Sequence, residues 1–167
     1  MRKGGGNQKG SSFERKICKA LSLWVSNGKH EDLFWRTAMS GGRATVARKK
    51  GRSVRQSGDI CAVDKDGHPF TDKWYIETKA YKKIDFDSFI IKRKGKLAKW
   101  WTICKREAKH YERNPMLIVK QNGWPWLVVT KCHAVSHWCK FYVTDLMVDI
   151  TLFDDMLEQP YENTRHQ

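Results

Sequence analysis

Eighteen consecutive apolar residues occur nowhere in this chain, and its start, Met1-Arg2-Lys3-Gly4-Gly5-Gly6, runs into polar residues rather than an apolar signal core. A membrane-spanning helix and a secretory leader are therefore not expected, which leaves no membrane partner and a cytoplasmic location. Cysteine is sparse and odd in number: Cys18, Cys61, Cys104, Cys132 and Cys139 form no CxxC pair. That pattern excludes a disulfide framework and fits reduced thiols. Cys132, His133, His137 and Cys139 do offer four zinc-type ligands within eight residues. Structural zinc sites usually join two separated ligand pairs, so a locally packed segment is the expectation there. Acids are also scarce, 18 Asp and Glu against 32 Lys and Arg, for a net charge of +14. An excess of that size excludes an acidic disordered chain and points to a polyanionic partner rather than a neutral metabolite.

What is present suffices for one domain. The 167 residues are 40% hydrophobic, enough for a core but short for two. The charge is uneven. From Met1 to Ser57 the net charge is +11, whereas residues 145–167 carry −5. One face turned to nucleic acid and one element turned away would produce this asymmetry. We expect a flexible basic arm over residues 1–10, a folded domain over 11–144, and an acidic C-terminal element over 145–167, packed on the domain or at a dimer interface.

Phe13, Ile17, Leu21 and Trp24 recur at helical spacing and stop before Asn27-Gly28, predicting a first helix. Leu33 to Ala38 reads as a strand, followed by a turn at Ser40-Gly41-Gly42 and an acid-free basic loop. Ile60 to Val63 and Trp74 to Ala80 read as two strands of a hairpin with a long connection. A second helix is predicted over Leu97 to Arg113, ended by Asn114-Pro115. Met116 to Val119 and Trp126 to Thr130 flank Asn122-Gly123 as another strand pair. Leu146, Val148, Ile150 and Leu152 alternate like a strand, with a short acidic helix after them.

The chemistry is carried by Gly58-Asp59-Ile60 and, eighteen residues after the aspartate, Ile76-Glu77-Thr78-Lys79. Alternate strand residues share a face, so Glu77 and Lys79 project together. With the hairpin folded symmetrically, position 59 lies opposite position 78, and two carboxylates converge beside a lysine. Paired carboxylates share a proton or bind a cation. A hard divalent ion accepts such oxygens, leaves positions open for a phosphate, and lowers the pKa of a bound water. Phosphodiester hydrolysis is the reaction this arrangement suits; an exposed strand face with an ordinary ion pair is the plain alternative. Glu14, in the first turn of the first helix, fits either a role near that metal or the capping box Ser11-x-x-Glu14.

Taken in order, Ser12-Phe13-Glu14-Arg15, Ser40-Gly41-Gly42, Gly58-Asp59-Ile60 and Ile76-Glu77-Thr78-Lys79 resemble the archaeal-type Holliday junction resolvases of the PD-(D/E)XK nuclease superfamily. The resemblance spans roughly residues 1–83. It implies an α/β, restriction-endonuclease-like fold with a central mixed β-sheet flanked by helices. It further implies a homodimer that cuts four-way junctions in double-stranded DNA with Mg²⁺, Mn²⁺ being able to substitute. Carried over by position, Asp59, Glu77, the Thr78 carbonyl and Glu14 would hold metal. Glu14, Asp59, Glu77, Lys79 and Ser40 would be catalytic, with Arg15 a phosphate contact. The host would be a prokaryotic or phage-infected cell. Thr78 stands where the family commonly has cysteine, and the chain beyond Lys83 has no counterpart in the motif set.

Arg43, Arg48, Lys49, Lys50, Arg52 and Arg55, with Lys92, Arg93, Lys94, Lys96 and Lys99, would supply phosphate contacts. Three functions are compatible with these residues. They are a Mg²⁺-dependent structure-selective endonuclease of the resolvase type, a restriction-type or repair nuclease of the same fold, and a non-catalytic DNA-binding protein.

Overall fold

The computed structural model describes residues 5–37, 57–131, 141–143 and 147–161. Helix α1 (Gly5–Val25) places Phe13, Ile17, Leu21 and Trp24 on one buried stripe, as the spacing predicts. It begins earlier than expected. Helical backbone extends over residues 5–10, so that part of the segment read as an arm is continuous with the helix, and Ser11 lies in its second turn. Ser11 therefore does not cap the helix. The other end follows the sequence: Gly28 takes a φ of +80° and donates its N–H to the Leu23 carbonyl at 2.7 Å, closing the last turn. Ser22, fully buried, ties α1 to the next strand, donating to the Cys18 carbonyl and accepting from the Phe34 N–H.

Two short antiparallel strands follow, β1 (Phe34–Arg36) and β2 (Ile60–Ala62), with Trp35 opposite Cys61. The connection after β2 is structured: a 3₁₀ turn (Lys65–Gly67), whose start is capped by Asp64, runs into helix α2 (His68–Lys73). Strand β3 (Trp74–Tyr81) comes next, then α3 (Phe86–Ile90), α4 (Gly95–His110), β4 (Asn114–Gln121), β5 (Leu127–Lys131), β6 (Phe141–Val143), β7 (Val148–Leu152) and α5 (Phe153–Leu157).

The main sheet has the order β3-β4-β5-β7-β6. Only β3 and β4 run parallel, and α4 makes the crossover that such a pair requires. β4 and β5 form the hairpin expected around Asn122-Gly123. The expected hairpin of β2 with β3 is not formed. β2 pairs with β1, and a helix rather than a loop fills the connection; Asp59, just before β2, is held to β3, its N–H donating to the Ile76 carbonyl at 2.8 Å. The Asp59 carbonyl in turn accepts from the Thr37 N–H at 2.9 Å. Asp59 thus bonds on one side to the stretch after β1 and on the other to β3, while Phe34 and Ile60 pack with Trp74 and Ile76 in one core.

Strand alternation divides the core into two layers. Trp74, Ile76, Met116, Ile118 and Val128 pack on the α1 side with Phe13, Ile17 and Leu21. Tyr75, Leu117, Val119, Val129 and Ile150 pack on the α4 side with Leu97, Trp101, Cys104 and Ala108. Burying each such aliphatic side chain is worth roughly 1.5–3 kcal/mol. The C-terminal stretch is part of the first layer: Phe153, Met156 and Tyr161 are buried, and the Trp24 indole donates to the Gln159 carbonyl at 2.6 Å. Cys18, Cys61 and Cys104 are free and buried; the Cys132 to Cys139 cluster lies outside the described residues. Among the described residues no helix is long and apolar enough to cross a membrane.

Candidate active site

Because β3 is an edge strand of its sheet, Ile76 and Thr78 turn hydrogen-bonding groups away from β4. Asp59 fills that edge. Its main-chain N–H reaches Ile76, and its Oδ2 accepts from the Thr78 N–H at 2.8 Å and the Thr78 hydroxyl at 3.2 Å. The approach depends on the residue before it. Gly58 has a φ of +78°, and a Cβ there would lie 2.5 Å from the Ile76 carbonyl oxygen.

On the α4 side of β3, Lys79 donates to Glu77 Oε1, and its Nζ stands 3.8 Å from Asp59 Oδ2. The far oxygen of Glu77 accepts from the Tyr75 hydroxyl at 3.4 Å. Tyr75 is buried and stacks on Tyr111, their ring planes 6° apart and centroids 5.9 Å apart. Glu14 approaches from α1, where Arg36 of β1 holds its Oε2 at 3.3 Å.

The electrostatics follow from crowding acids around one lysine. Burial and then the Asp59 charge push the Glu77 carboxyl above its ordinary range, against the pull of Lys79. Burial and Asp59 act on Glu14 in the same direction, with Arg36 offsetting part. For Lys79, burial disfavours the ammonium, but the Asp59 and Glu77 charges together outweigh it and its pKa is raised. One cation thus serves more acid than it can neutralise.

Asp59, Glu77, Thr78 and Lys79 are therefore gathered as the spacing predicts, although by an edge contact rather than a hairpin. Glu14 is nearby but engaged by Arg36. Arg15 is exposed on α1. Ser40, Arg43, Arg48, Lys49, Lys50, Arg52 and Arg55 lie outside the described residues. Among the described residues, no three His, Cys, Asp or Glu side chains are grouped to hold a metal ion. The donors that remain are hard oxygens of the type a divalent ion takes: two carboxylates and the Thr78 carbonyl. A strand residue directs its N–H and C=O to the same side, so that carbonyl faces the edge where Asp59 lies.

Sequence reasoning missed Arg36, Tyr75 and Arg113. Tyr75 was findable, being two residues before Glu77 and hence on its face. Arg113, whose guanidinium donates to the buried Ser57 hydroxyl at 2.6 Å just before Gly58, carried no local signal.

Residues 5–163 match the family described as "Phage putative PDDEXK endonuclease". No curated protein and no solved structure gives a significant match.

Proposed function

Since the chain belongs to this phage PDDEXK endonuclease family and is a nuclease of the PD-(D/E)XK superfamily, we propose that it is a Mg²⁺-dependent, structure-selective DNA endonuclease. Its substrate is the four-way junction, cut in the manner of a Holliday junction resolvase during recombination or replication. The observation that carries the chemistry is Lys79 set against both Asp59 and Glu77 on the open edge of β3. Junction preference rests on the ordered motifs Ser12-Phe13-Glu14-Arg15, Ser40-Gly41-Gly42, Gly58-Asp59 and Glu77-Thr78-Lys79.

PDDEXK nucleases typically use divalent metals. Here Asp59, Glu77 and the Thr78 carbonyl would hold the ion, with Glu14 beside them and Mn²⁺ able to replace Mg²⁺. Such an ion, when bound, offsets charge on the scissile phosphate and acidifies a water. The protein's part is positional. Asp59 and Glu77 orient the donor oxygens, Tyr75 fixes the second Glu77 oxygen, and Lys79 places its ammonium where negative charge grows as water attacks phosphorus and the sugar oxygen departs. Arg15 and the basic residues Arg43, Arg48, Lys49, Lys50, Arg52 and Arg55 contact the flanking phosphates. The working form is a homodimer, one copy per cut strand, in the cytoplasm of a prokaryotic or phage-infected cell.

The test is cleavage of an end-labelled four-way junction and a matched linear duplex, with Mg²⁺ or EDTA, by wild type and Asp59→Asn. Paired symmetrical nicks in the junction alone, dependent on Mg²⁺ and Asp59, are expected. Equal cutting of both substrates would replace the resolvase with a duplex or flap nuclease. Tight binding without cutting would make the protein a DNA-binding module.

A further inference from the structure

Beside that edge, α1 and β3 build a second feature together with the end of β4. One residue before Glu14 on α1, and immediately after Lys79 on β3, the chain lines a cavity of about 250 Å³ with Ser12, Phe13, Lys16, Lys82, Lys120 and Asn122. No acidic residue lines it, and among the described residues none of its three lysines forms an ion pair with a carboxylate. Elsewhere on this surface cations do find partners, as Lys19 does with Glu31 at 2.8 Å. Three ammonium groups around one hollow repel one another, so an anion entering it is favoured.

Lys120 is also held in place. Its Nζ lies 5.8 Å from the Phe13 ring centre and 5.5 Å from that of Trp126, and those two rings meet edge to face. An ammonium positioned in this way loses less freedom when it binds than one on a free stem. The Ser12 hydroxyl and Asn122 amide add neutral donors. At about 30 Å³ per water, the hollow has room for some eight waters, ample for a phosphate group.

We infer that this cleft is a binding site for a phosphodiester of the DNA backbone flanking the cut, with Lys16, Lys82 and Lys120 as its ligands. Lys82 lies just past the end of β3, three residues after Lys79 and so at most about 10 Å from it along the chain, which corresponds to no more than about three phosphates of axial rise along one DNA strand. The cleft thus holds the substrate strand a few nucleotides from the scissile bond. This inference rests on the nuclease reading, and its test separates the two.

DNA affinity is measured by fluorescence anisotropy with a labelled junction, in EDTA, across a salt series. The proteins are wild type, the triple variant Lys16→Gln/Lys82→Gln/Lys120→Gln, and the charge-retaining Lys16→Arg/Lys82→Arg/Lys120→Arg. The Gln variant should bind roughly tenfold or more weakly, with the slope of log K against log salt reduced by about 1–2. The Arg variant should retain both affinity and slope. A Gln variant with wild-type affinity and slope would overturn the cleft while leaving the nuclease standing. Equal loss in the Arg and Gln variants would also overturn it, since packing rather than charge would then be responsible. A wild-type protein that neither binds nor cuts DNA would remove both readings.

Discussion

Gly58→Ala tests how the candidate active site is assembled, because the structure supplies its own control. Gly58 and Gly28 both have left-handed backbones, with φ of +78° and +80°. At Gly28 an added Cβ meets nothing within 4 Å, whereas at Gly58 it meets the Ile76 carbonyl oxygen at 2.5 Å. The left-handed conformation costs an L-residue about 1–2 kcal/mol at either position. At Gly58 the clash must also be relieved by moving Asp59 away from β3. That move breaks the Asp59–Ile76 bond and loosens the Asp59–Thr78 bond, adding about 1–2 kcal/mol. For a domain of this size each kcal/mol is worth about 2–4 °C. Gly58→Ala should therefore melt roughly 2–8 °C below Gly28→Ala.

Activity should separate the two variants further. A catalytic group displaced by about 1 Å costs on the order of a hundredfold in rate, so Gly58→Ala should cut at least that much more slowly while Gly28→Ala cuts normally. Melting is best followed by circular dichroism in EDTA, since a bound ion would stabilise the folded state by mass action and blur the comparison. A Gly58→Ala protein that melts with Gly28→Ala and cuts at the wild-type rate would refute the edge contact as the means of placing Asp59.

Removing Lys79 as Lys79→Ala should abolish cutting, by about 10²–10³-fold if it acts like other charge-stabilising groups, yet leave divalent-ion binding by calorimetry at least as tight. Weaker ion binding would show that the lysine supports the carboxylates rather than competing for them. Glu14 is raised above its ordinary 4.5 by burial and Asp59, so its folded state holds the proton more tightly than the unfolded chain. The stability this contributes is present below 4.5 and lost as pH rises through the raised value. Glu14→Gln should accordingly gain melting temperature relative to wild type between pH 4 and pH 7, and a gain that shrinks over that range would contradict the assignment. Cys18, buried and with its thiol pushed up to about 12, should resist iodoacetamide at pH 8 until urea unfolds the protein, as read by peptide mass mapping.

Much of this architecture was legible because its signals are local. The α1 stripe from Phe13 to Trp24, the Asn122-Gly123 hairpin and the β-prone run at Val148 to Leu152 each declare themselves within a few residues. The Asp59 and Glu77-Thr78-Lys79 spacing likewise reads directly. The error over β2 arose from assigning a strand to its nearest neighbour. Pro69 in the first turn of α2 was the available sign that His68 to Lys73 is a helix, and the α4 pattern between two strands was the sign of a parallel pair. The Arg36 to Glu14 bond was not legible, since nothing local says which of many cations faces a given acid. Ser11 misled for a different reason: a capping signature has meaning only at a helix end, and α1 had already begun at Gly5.

The edge contact explains how a site can be exact without a ladder to hold it. Within β3 the alternation sends Glu77 and Lys79 to the α4 side and Thr78 to the α1 side. No residue of a strand paired in ordinary register beside β3 could bond the Thr78 N–H with its side chain, because its backbone would occupy that donor. Asp59 can do so because the ladder fails there: one main-chain bond to Ile76 fixes its position, and the vacated donor at Thr78 receives its carboxylate instead. The Thr37 bond on its other side keeps the residue from following β3 further. The break in pairing therefore leaves an acid, a carbonyl and the Glu77–Lys79 pair facing one open edge, which a continuous hairpin would have closed.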